Sequence, residues 1–256
     1  MRNALLGKIY KAYEKRLLRQ VLAGSIPRHV AVIMDGNRRF AEEMGLGTYE
    51  GHRAGRDKLE EMLNWCMELD IKVLTVYAFS TENIMRDPKE IEYLMDMFEE
   101  NFRKLAEDRR VHENRIKVKV IGQRGMLPER VQKAIEYAEA MTKDYDRYFF
   151  NLAVAYGGRE EILHAIKNIA MKVKAGEMDI QDITEESFSK MLYTGDLPDP
   201  DLILRTSGEE RISNFLLWQL AYSEFYFTDV YWPGLRKIDF LRAIRSYQRR
   251  VRRFGT

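Results

Sequence analysis

The hydrophobic positions of the chain fall into short runs that are rich in β-branched and aromatic residues. These runs predict strands at Val30–Met34, Val73–Phe79, Ile116–Ile121, Phe149–Ala155, Leu202–Leu204 and Glu224–Val230. Between most of them, hydrophobic residues recur every three or four positions. That spacing predicts helices over residues 55–69, 89–106, 129–142 and 159–174, with a last helix from Asp239 to Arg252. Such alternation is typical of an α/β domain with a mostly parallel central sheet and helices on both faces.

The sequence favours one main domain over two small ones. A length of 256 residues allows either arrangement, but no repeat, low-complexity tract or Gly/Ser linker divides the chain. The stretch Thr194–Asp201 is typical of a turn that precedes a strand. We therefore predict a basic amphipathic helix within residues 1–26 and a single domain over residues 27–256.

The N-terminal helix has one apolar and one basic side. Apolar residues recur at helical spacing from Leu6 to Leu22, and the other faces carry Lys8, Lys11, Lys15, Arg16 and Arg19. Two interpretations are open: a helix docked on its own domain, or a helix that lies on an anionic membrane.

Composition narrows the class of protein. The formal net charge is only +2, so we expect no nucleic-acid partner. The single cysteine, Cys66, lies among apolar residues and is expected to be a core thiol, which fits a reducing compartment. No apolar run approaches the ~20 residues that span a bilayer, and the first residues lack a secretory signal. We expect a cytoplasmic protein, with peripheral contact at the inner face of the membrane as an open alternative.

Polar, arginine-rich turns follow five of the predicted strands. In a parallel sheet these turns would gather at one edge, where α/β proteins bind ligands. Arginine side chains bind phosphate oxygens, and glycines let backbone N–H groups approach them closely. The pattern therefore predicts a phosphate site. The turns are Asp35–Arg39, Ser80–Asn83 with Arg86, Gly122–Arg124, Tyr156–Arg159, and Arg205–Glu209 with Arg211 and Ser213.

Four of these turns, and His52, also have a structural interpretation that involves no ligand. Asp35 is a suitable helix cap, and Ser80–Asn83 is a suitable capping box. Gly157 and Gly158 fit an ordinary turn, Arg205 could pair with Glu209, and His52 could be a satisfied half-buried histidine. A purely structural role is reasonable for any one of these turns. It is much less plausible for all five together, because they are predicted at the same edge of the sheet.

Several chemistries are excluded by missing motifs. The sequence contains no P-loop, no dinucleotide-binding glycine fingerprint, no nucleophile elbow and no zinc-ligand spacing. An Asp-Asp-x-x-Asp cluster is also missing, which excludes helix-borne aspartate clusters that hold several Mg²⁺ ions. A diphosphate site with Asp35 and a single Mg²⁺ ion stays open.

Taken together, the motifs resemble those of the cis-prenyltransferases, the undecaprenyl or dehydrodolichyl diphosphate synthase family. The resemblance runs from about His29 to Phe254, nearly the whole chain. It rests on Met34–Ala41, Gly51–Gly55, Tyr77–Asn83, Asn151–Arg159, Asp201–Glu209, Arg211–Gln219 and Glu224–Asp229.

This resemblance implies a Mg²⁺-dependent enzyme that condenses isopentenyl diphosphate onto an allylic primer, farnesyl or geranylgeranyl diphosphate. The product would be a long-chain glycosyl-carrier lipid precursor. A homodimer is implied as well. By resemblance Asp35 holds Mg²⁺ against diphosphate, Glu224 is a second metal-linked carboxylate, and Asn83 assists proton removal.

Other positions match substrate contacts of the family. The cradle for the allylic diphosphate corresponds to Gly36, Asn37, Arg38 and Arg39, and the isopentenyl diphosphate site to Arg205, Arg211, Ile212 and Ser213. Further substrate contacts correspond to Phe40, His52, Ser80, Thr81, Glu82 and Arg86. An apolar channel for the prenyl chain is expected, with candidate walls at Leu152–Val154 and at Ile91, Leu94, Met95, Phe98 and Phe102, and plain core packing is the open alternative for these side chains.

The chain departs from many bacterial members at a few positions. Thr48 replaces an arginine, Phe40 and Ile84 replace tryptophans, and Glu210 replaces a histidine. These changes leave Asp35 and the arginines of the diphosphate site in place, which favours an enzyme over a non-catalytic lipid-diphosphate-binding subunit. An unrelated phosphate-ester enzyme with an α/β fold is the third hypothesis.

Overall fold

All six predicted strands are present, although the last one is shorter than expected. The computed structural model describes residues 2–250, and for residues 2–6, 8 and 9 it describes the backbone only. The strands are β1 (His29–Ile33), β2 (Val73–Ser80), β3 (Ile116–Ile121), β4 (Tyr148–Tyr156), β5 (Leu202–Arg205) and β6 (Glu224–Phe227). Every pairing described below is parallel, as the strand-helix alternation predicts.

The predicted helices are also present, together with shorter ones. The long helices are α1 (Arg2–Leu22), α3 (Thr48–Glu68), α4 (Pro88–Glu107), α6 (Glu129–Thr142), α7 (Gly158–Lys174) and α9 (Lys237–Arg249). The short ones are α2 (Asn37–Glu43), α5 (Arg109–Glu113) and α8 (Glu185–Ser189). Helices of five residues such as α5 and α8 show too little periodicity to be predicted. The predicted end of α9 at Arg252 lies outside the described residues.

Packing divides the described chain into two compact units. The first comprises the residues up to Lys72, Asp201–Glu210 and the residues from Glu224 onward. The second comprises Val73–Pro200 and Arg211–Ser223.

The first unit is built around β5, which pairs with β1 on one side and β6 on the other. The register aligns Ile33 with Arg205 and Arg205 with Phe227, so these residues mark the carboxyl ends of the three strands. Every residue of β1 is buried, as expected for a parallel strand covered on both faces. Trp232 is fully buried, and its Nε1 donates a hydrogen bond to the Gly55 carbonyl of α3 at 2.7 Å.

Helix α1 packs on the first unit. Leu17 and Val21 are completely buried, and Tyr10 and Tyr13 lie beneath the guanidinium groups of Arg236 and Arg242, at 5.3 and 5.7 Å. The structure thus agrees with the docked interpretation of this helix. None of the described helices is both long enough and apolar enough to cross a membrane.

The second unit has β4 at its centre, between β3 and β2. Val73 of β2 aligns with Phe149, and Ile116 of β3 aligns with Tyr148. Helix α4 begins at Pro88, where the Asp87 carboxylate accepts hydrogen bonds from the next turn. On α4, the candidate channel residues Leu94, Met95, Phe98 and Phe102 are buried, and Phe98 packs against Phe79 and Phe102. These contacts are those of a packed core, and a channel along them stays a prediction.

Candidate active site

The backbone of Asp35 is held from both sides just after β1 ends. Its N–H donates to Thr206 Oγ1 at 3.0 Å, and its carbonyl accepts from Thr206 Oγ1 at 2.7 Å and from the Trp232 N–H at 3.0 Å. Gly36, not Asp35, is the residue that caps α2, and no side chain caps this helix. The interpretation of Asp35 as a helix cap is therefore wrong, and its carboxylate is available for other contacts.

Two arginines flank the Asp35 carboxylate. Arg39 Nη2 donates to Oδ1 at 3.1 Å, and Arg205 Nη2 donates to Oδ2 at 2.8 Å. The Arg205 side chain is 3% exposed and that of Asp35 is 27% exposed. Arg39 also pairs with Glu209 through Nη1 at 3.1 Å. We call these four residues the Asp35 cluster: Asp35, Arg39, Arg205 and Glu209.

Both Arg205 and Glu209 are bound to the turn after β1. Arg205 pairs with Asp35 and Glu209 with Arg39, so contacts between distant segments hold the cluster together. Burial lowers the pKa of Arg39, but the neighbouring Asp35 and Glu209 carboxylates outweigh it, so the net effect raises that pKa. The Arg39 guanidinium therefore stays charged in its partly buried place.

Only glycine fits at position 36. Its φ of +104° lies in the region that other residues avoid, and a Cβ there would lie 2.8 Å from the Tyr231 ring. The same ring lies 5.9 Å from the Arg39 guanidinium. Tyr231 thus contacts both the cradle and one of its arginines, and sequence reasoning missed it.

The other predicted residues of this unit are placed along α2 and α3. Arg38 is exposed and Phe40 half-buried on α2, and His52 is buried on α3 rather than half-buried as expected. Asn37 lies against α3, so close that a Cβ at Gly55 would be 2.4 Å from Asn37 Oδ1. That Oδ1 is buried and has no hydrogen-bond partner among the described residues.

In the second unit, the turn after β2 is a capping box. Ser80 Oγ accepts from the Asn83 N–H at 3.3 Å, and Asn83 Oδ1 accepts from the Ser80 N–H at 3.1 Å. The structural interpretation of this motif is confirmed, and a role of Asn83 in proton removal stays a prediction. Thr81 Oγ1 contacts Glu82 Oε2 at 3.1 Å, and Arg86 pairs with Glu90 at 3.2 Å.

The segment Arg211–Asn214 packs on the start of α7. The Asn214 carbonyl accepts from the Gly158 N–H at 2.7 Å, and Asn214 Oδ1 accepts from the Arg159 N–H at 2.9 Å. These amide groups are therefore used within the fold, which favours the turn interpretation of Gly157 and Gly158. Asn214 Nδ2 also donates to Glu82 Oε1 at 3.3 Å, and thereby joins three of the sequence motifs.

Ser213 and its neighbours have a strained backbone. Ser213, Asn214 and Leu216 all have positive φ, at 48°, 62° and 44°. Phe215 anchors the segment, because it is fully buried and stacks on Tyr77 with ring centroids 4.6 Å apart. Strain of this kind persists only where the surroundings hold it, and it is common at ligand sites. Arg211 and Ser213 themselves are exposed and Ile212 is half-buried.

Glu224 and Asp35 are not brought together within this chain. Glu224 is the first residue of β6 and aligns with Leu202, whereas Asp35 follows the opposite, carboxyl ends of the strands. Three residues of strand separate the two ends, a distance of about 10 Å. The Glu224 carboxylate instead pairs with Arg250 Nη1 at 2.7 Å. Among the described residues, no group of three or more His, Cys, Asp or Glu side chains could hold a metal ion.

The turn after β3 is held by an ion pair, and its part in a phosphate site stays a prediction. Arg124 directs its guanidinium to Glu139 of α6, with Nη1 at 2.8 Å from Oε2, so it is engaged in an ion pair. The structure thus brings together the turns after β1 and β5 in the first unit. In the second unit it joins the turns after β2 and β4 to the segment Arg211–Asn214.

A family model and similar proteins from other organisms identify the same family. A family model of undecaprenyl diphosphate synthases matches residues 33–255. The chain is 56% identical over 250 residues to the tritrans,polycis-undecaprenyl-diphosphate synthase (geranylgeranyl-diphosphate specific) of Methanopyrus kandleri, over 98% of this chain and 92% of that one. A protein with the same description from Thermoplasma volcanium is 57% identical over 245 residues, over 96% of this chain and 95% of that one.

Solved structures show the same fold. The crystal structure of lavandulyl diphosphate synthase from Lavandula x intermedia, in complex with dimethylallyl diphosphate, has a TM-score of 0.84 at 39% identity and covers 90% of this chain and 99% of that chain. A probable undecaprenyl diphosphate synthase from Campylobacter jejuni has a TM-score of 0.74 at 33% identity and covers 91% of this chain and all of that chain.

Proposed function

Since the chain belongs to the undecaprenyl diphosphate synthase family of cis-prenyltransferases, we propose that it condenses isopentenyl diphosphate onto an allylic diphosphate primer. The first primer to test is geranylgeranyl diphosphate, because the relatives from Methanopyrus kandleri and Thermoplasma volcanium are described as specific for it. The product would be a long-chain polyprenyl diphosphate that serves as a precursor of a glycosyl-carrier lipid.

The observation that carries this proposal is the Asp35 cluster. A leaving diphosphate bears several negative charges, and preorganised guanidinium groups stabilise charge that develops on it. Arg39 and Arg205 are held in place by Asp35 and Glu209, at distances of 2.8 to 3.1 Å. These arginines would bind the diphosphate without a large rearrangement of the protein.

The donor set fits one Mg²⁺ ion that arrives with the diphosphate. Protein sites for Mg²⁺ commonly supply one or two carboxylates and leave the other positions to substrate phosphates and water. Asp35 is a single, partly exposed carboxylate beside the arginines, which matches this set. A Mg²⁺ ion bound there would neutralise charge on the leaving group. Asp35 would hold it, and Arg39 and Arg205 would contact diphosphate oxygens.

The remaining roles follow the family resemblance residue by residue. Gly36, Asn37, Arg38 and Arg39 would form the cradle of the allylic diphosphate, and Phe40 and His52 would contact substrate. Arg205, Arg211, Ile212 and Ser213 would bind isopentenyl diphosphate. Asn83 would assist proton removal, and Ser80, Thr81, Glu82 and Arg86 would contact substrate.

Glu224 is the weakest member of the proposed set. To act as a metal ligand its carboxylate would have to leave Arg250, and it would have to serve a site other than the Asp35 cluster of its own chain. A homodimer, which the family resemblance implies, is the arrangement in which this is possible. We include the homodimer in the proposal, together with peripheral contact of the basic helix α1 with a membrane.

The test is incorporation of labelled isopentenyl diphosphate into butanol-extractable product. The purified chain is incubated with Mg²⁺ and with geranyl, farnesyl or geranylgeranyl diphosphate in turn. We expect incorporation that depends on both primer and Mg²⁺, with geranylgeranyl diphosphate as the best primer. No incorporation with any primer would refute the proposal, and release of diphosphate without a new carbon–carbon bond would favour a phosphate-ester enzyme. Mass spectrometry of the product gives its chain length.

A further inference from the structure

Ser207 stands out among the residues that no step above uses. Its side chain is buried, with 6% of the residue exposed, and its Oγ has no hydrogen-bond partner among the described residues. Buried hydroxyl groups nearly always have a partner, so an orphaned one calls for an explanation. Its φ of +78° is also unfavourable for a residue with a Cβ. One residue therefore combines two unfavourable features.

The neighbouring hydroxyl provides the contrast. Thr206 Oγ1 accepts from the Asp35 N–H and donates to the Asp35 carbonyl, at 3.0 and 2.7 Å. Its role in the fold is complete. The Ser207 backbone is likewise anchored, because its N–H donates to the Val230 carbonyl at 2.9 Å. The Ser207 Oγ, by contrast, has no hydrogen-bond partner among the described residues.

The Ser207 hydroxyl lies beside the Asp35 cluster. A Cβ built on Gly36 would be 3.1 Å from Ser207 Oγ, so the hydroxyl faces the main chain of the glycine that follows Asp35. The Ser207 carbonyl lies 3.5 Å from Arg39 Nη1, and Arg205, two residues earlier, pairs with Asp35. The residue with the unpaired hydroxyl thus lies in the turn that carries Arg205, and its main chain contacts Arg39.

We propose that Ser207 is a diphosphate-binding residue, whose hydroxyl donates a hydrogen bond to a non-bridging oxygen of a substrate diphosphate in the Asp35 cluster. The inference rests on the proposed function, and it adds to the site a residue that the motif comparison does not assign. Hydrogen bonds to charged groups are among the stronger ones in proteins, because the acceptor carries a full negative charge. Strained backbone at such a position is typical of ligand clamps.

The test compares stability and affinity in the same variants. Ser207→Ala removes the hydroxyl, and Ser207→Gly also relieves the positive φ. Thr142→Val is the matched control, because Thr142 Oγ1 is buried on α6 and makes both of its hydrogen bonds, with the Val118 N–H and the Ala138 carbonyl. The measurements are the urea midpoint of unfolding, the Kd for inorganic diphosphate with Mg²⁺ by calorimetry, and the KM for each substrate.

Opposite patterns are expected from the two hydroxyls. Ser207→Ala should weaken diphosphate binding by about tenfold or more and should keep or raise the urea midpoint, since an unpaired buried group is removed. Ser207→Gly should show the same loss of affinity with a higher midpoint. Thr142→Val should lower the midpoint and leave Kd and KM unchanged. The substrate whose KM rises with Ser207→Ala is the one whose diphosphate the hydroxyl contacts.

Two results would overturn the inference. One is a Kd for diphosphate within twofold of the wild type in Ser207→Ala. The other is a lower urea midpoint in that variant, which would show that the hydroxyl has a structural partner. Failure of the proposed function is distinguishable, because it appears as a wild-type protein that does not elongate any primer, whatever Ser207 does to diphosphate affinity.

Discussion

Replacing Asp35 by asparagine tests the centre of the proposed site. Asparagine keeps the shape of the side chain and one acceptor oxygen, but it removes the negative charge that faces Arg39 and Arg205. The Arg205 side chain is 3% exposed, so the loss of a charged partner at 2.8 Å leaves a buried guanidinium less well compensated. Breaking a fully buried pair costs about 3–5 kcal/mol. Because Asp35 is 27% exposed and asparagine retains one acceptor, we expect a smaller loss of roughly 1–3 kcal/mol.

That loss sets the conditions of the assay. For a protein of this size, each kcal/mol lowers Tm by about 2–4 °C, so Asp35→Asn should unfold roughly 2–12 °C below the wild type. Turnover is therefore measured at a temperature where circular dichroism shows both proteins fully folded. There we expect kcat to fall about a hundredfold or more, because Asp35→Asn removes the carboxylate that would hold Mg²⁺ and that positions Arg39 and Arg205 for the leaving diphosphate.

A matched exposed aspartate separates charge removal in general from charge removal at the site. Asp146 pairs with Arg115 at 2.9 Å, and its side chain is 75% exposed. Asp146→Asn should change stability by less than about 1 kcal/mol and leave kcat unchanged. The reasoning fails if folded Asp35→Asn turns over within a few-fold of the wild type, or if Asp146→Asn loses as much activity.

Three further substitutions or treatments probe the fold around the site. Gly36→Ala should destabilise the protein and abolish diphosphate binding, because residue 36 has a positive φ and a Cβ there would contact the Tyr231 ring. Urea unfolding and calorimetry measure the two effects, and an unchanged urea midpoint and Kd would contradict the cradle geometry. Burial raises the pKa of Glu161 in the folded protein above its value in the unfolded chain. The stabilisation that protonation of Glu161 contributes is therefore fully present below the pKa of the unfolded chain, and it is lost as pH rises through the pKa of the folded protein. Acidification towards pH 4.5 should therefore stabilise the wild type relative to Glu161→Gln in urea unfolding, and a pH-independent difference would refute this. Burial also raises the pKa of the Cys66 thiol, so iodoacetamide at pH 8 should label it only after unfolding, and fast native labelling would contradict the packing.

The sequence predicted much of the site because chemistry and order along the chain are local properties. Asp35 and Arg39 follow a buried hydrophobic run, and Arg205 ends another, so the pattern places both turns at the carboxyl ends of strands. Parallel pairing of β1 with β5 then brings these residues together. The sequence does not predict which charged residues pair. Arg205 pairs with Asp35 and Arg39 pairs with Glu209, and about 170 residues of sequence separate the members of each pair.

The contacts of other residues at the site could be found only from the fold, although Ser207 lies within the predicted turn Arg205–Glu209. Ser207 and Tyr231 lie beside Gly36 because of the path that the chain takes after β5 and β6. Asn214 joins Glu82 to the start of α7, although nothing local in the sequence marks it as more than a neighbour of Ser213. Glu224 is the opposite case. It matches a family motif, but the strand register places it at the start of β6, away from the carboxyl ends of the strands where Asp35 lies.

The amino-acid sequence by itself determined the α/β class, the strands and long helices, and the arginine- and glycine-rich chemistry of the turns. Hydrophobic periodicity and side-chain type are sufficient for these, since each depends on a few consecutive residues. Tertiary structure alone decided which charges neutralise each other, which backbone amides are already used, and which hydroxyl is left unpaired. Those outcomes depend on strand register and on close approach between distant segments, where a shift of one residue changes every contact.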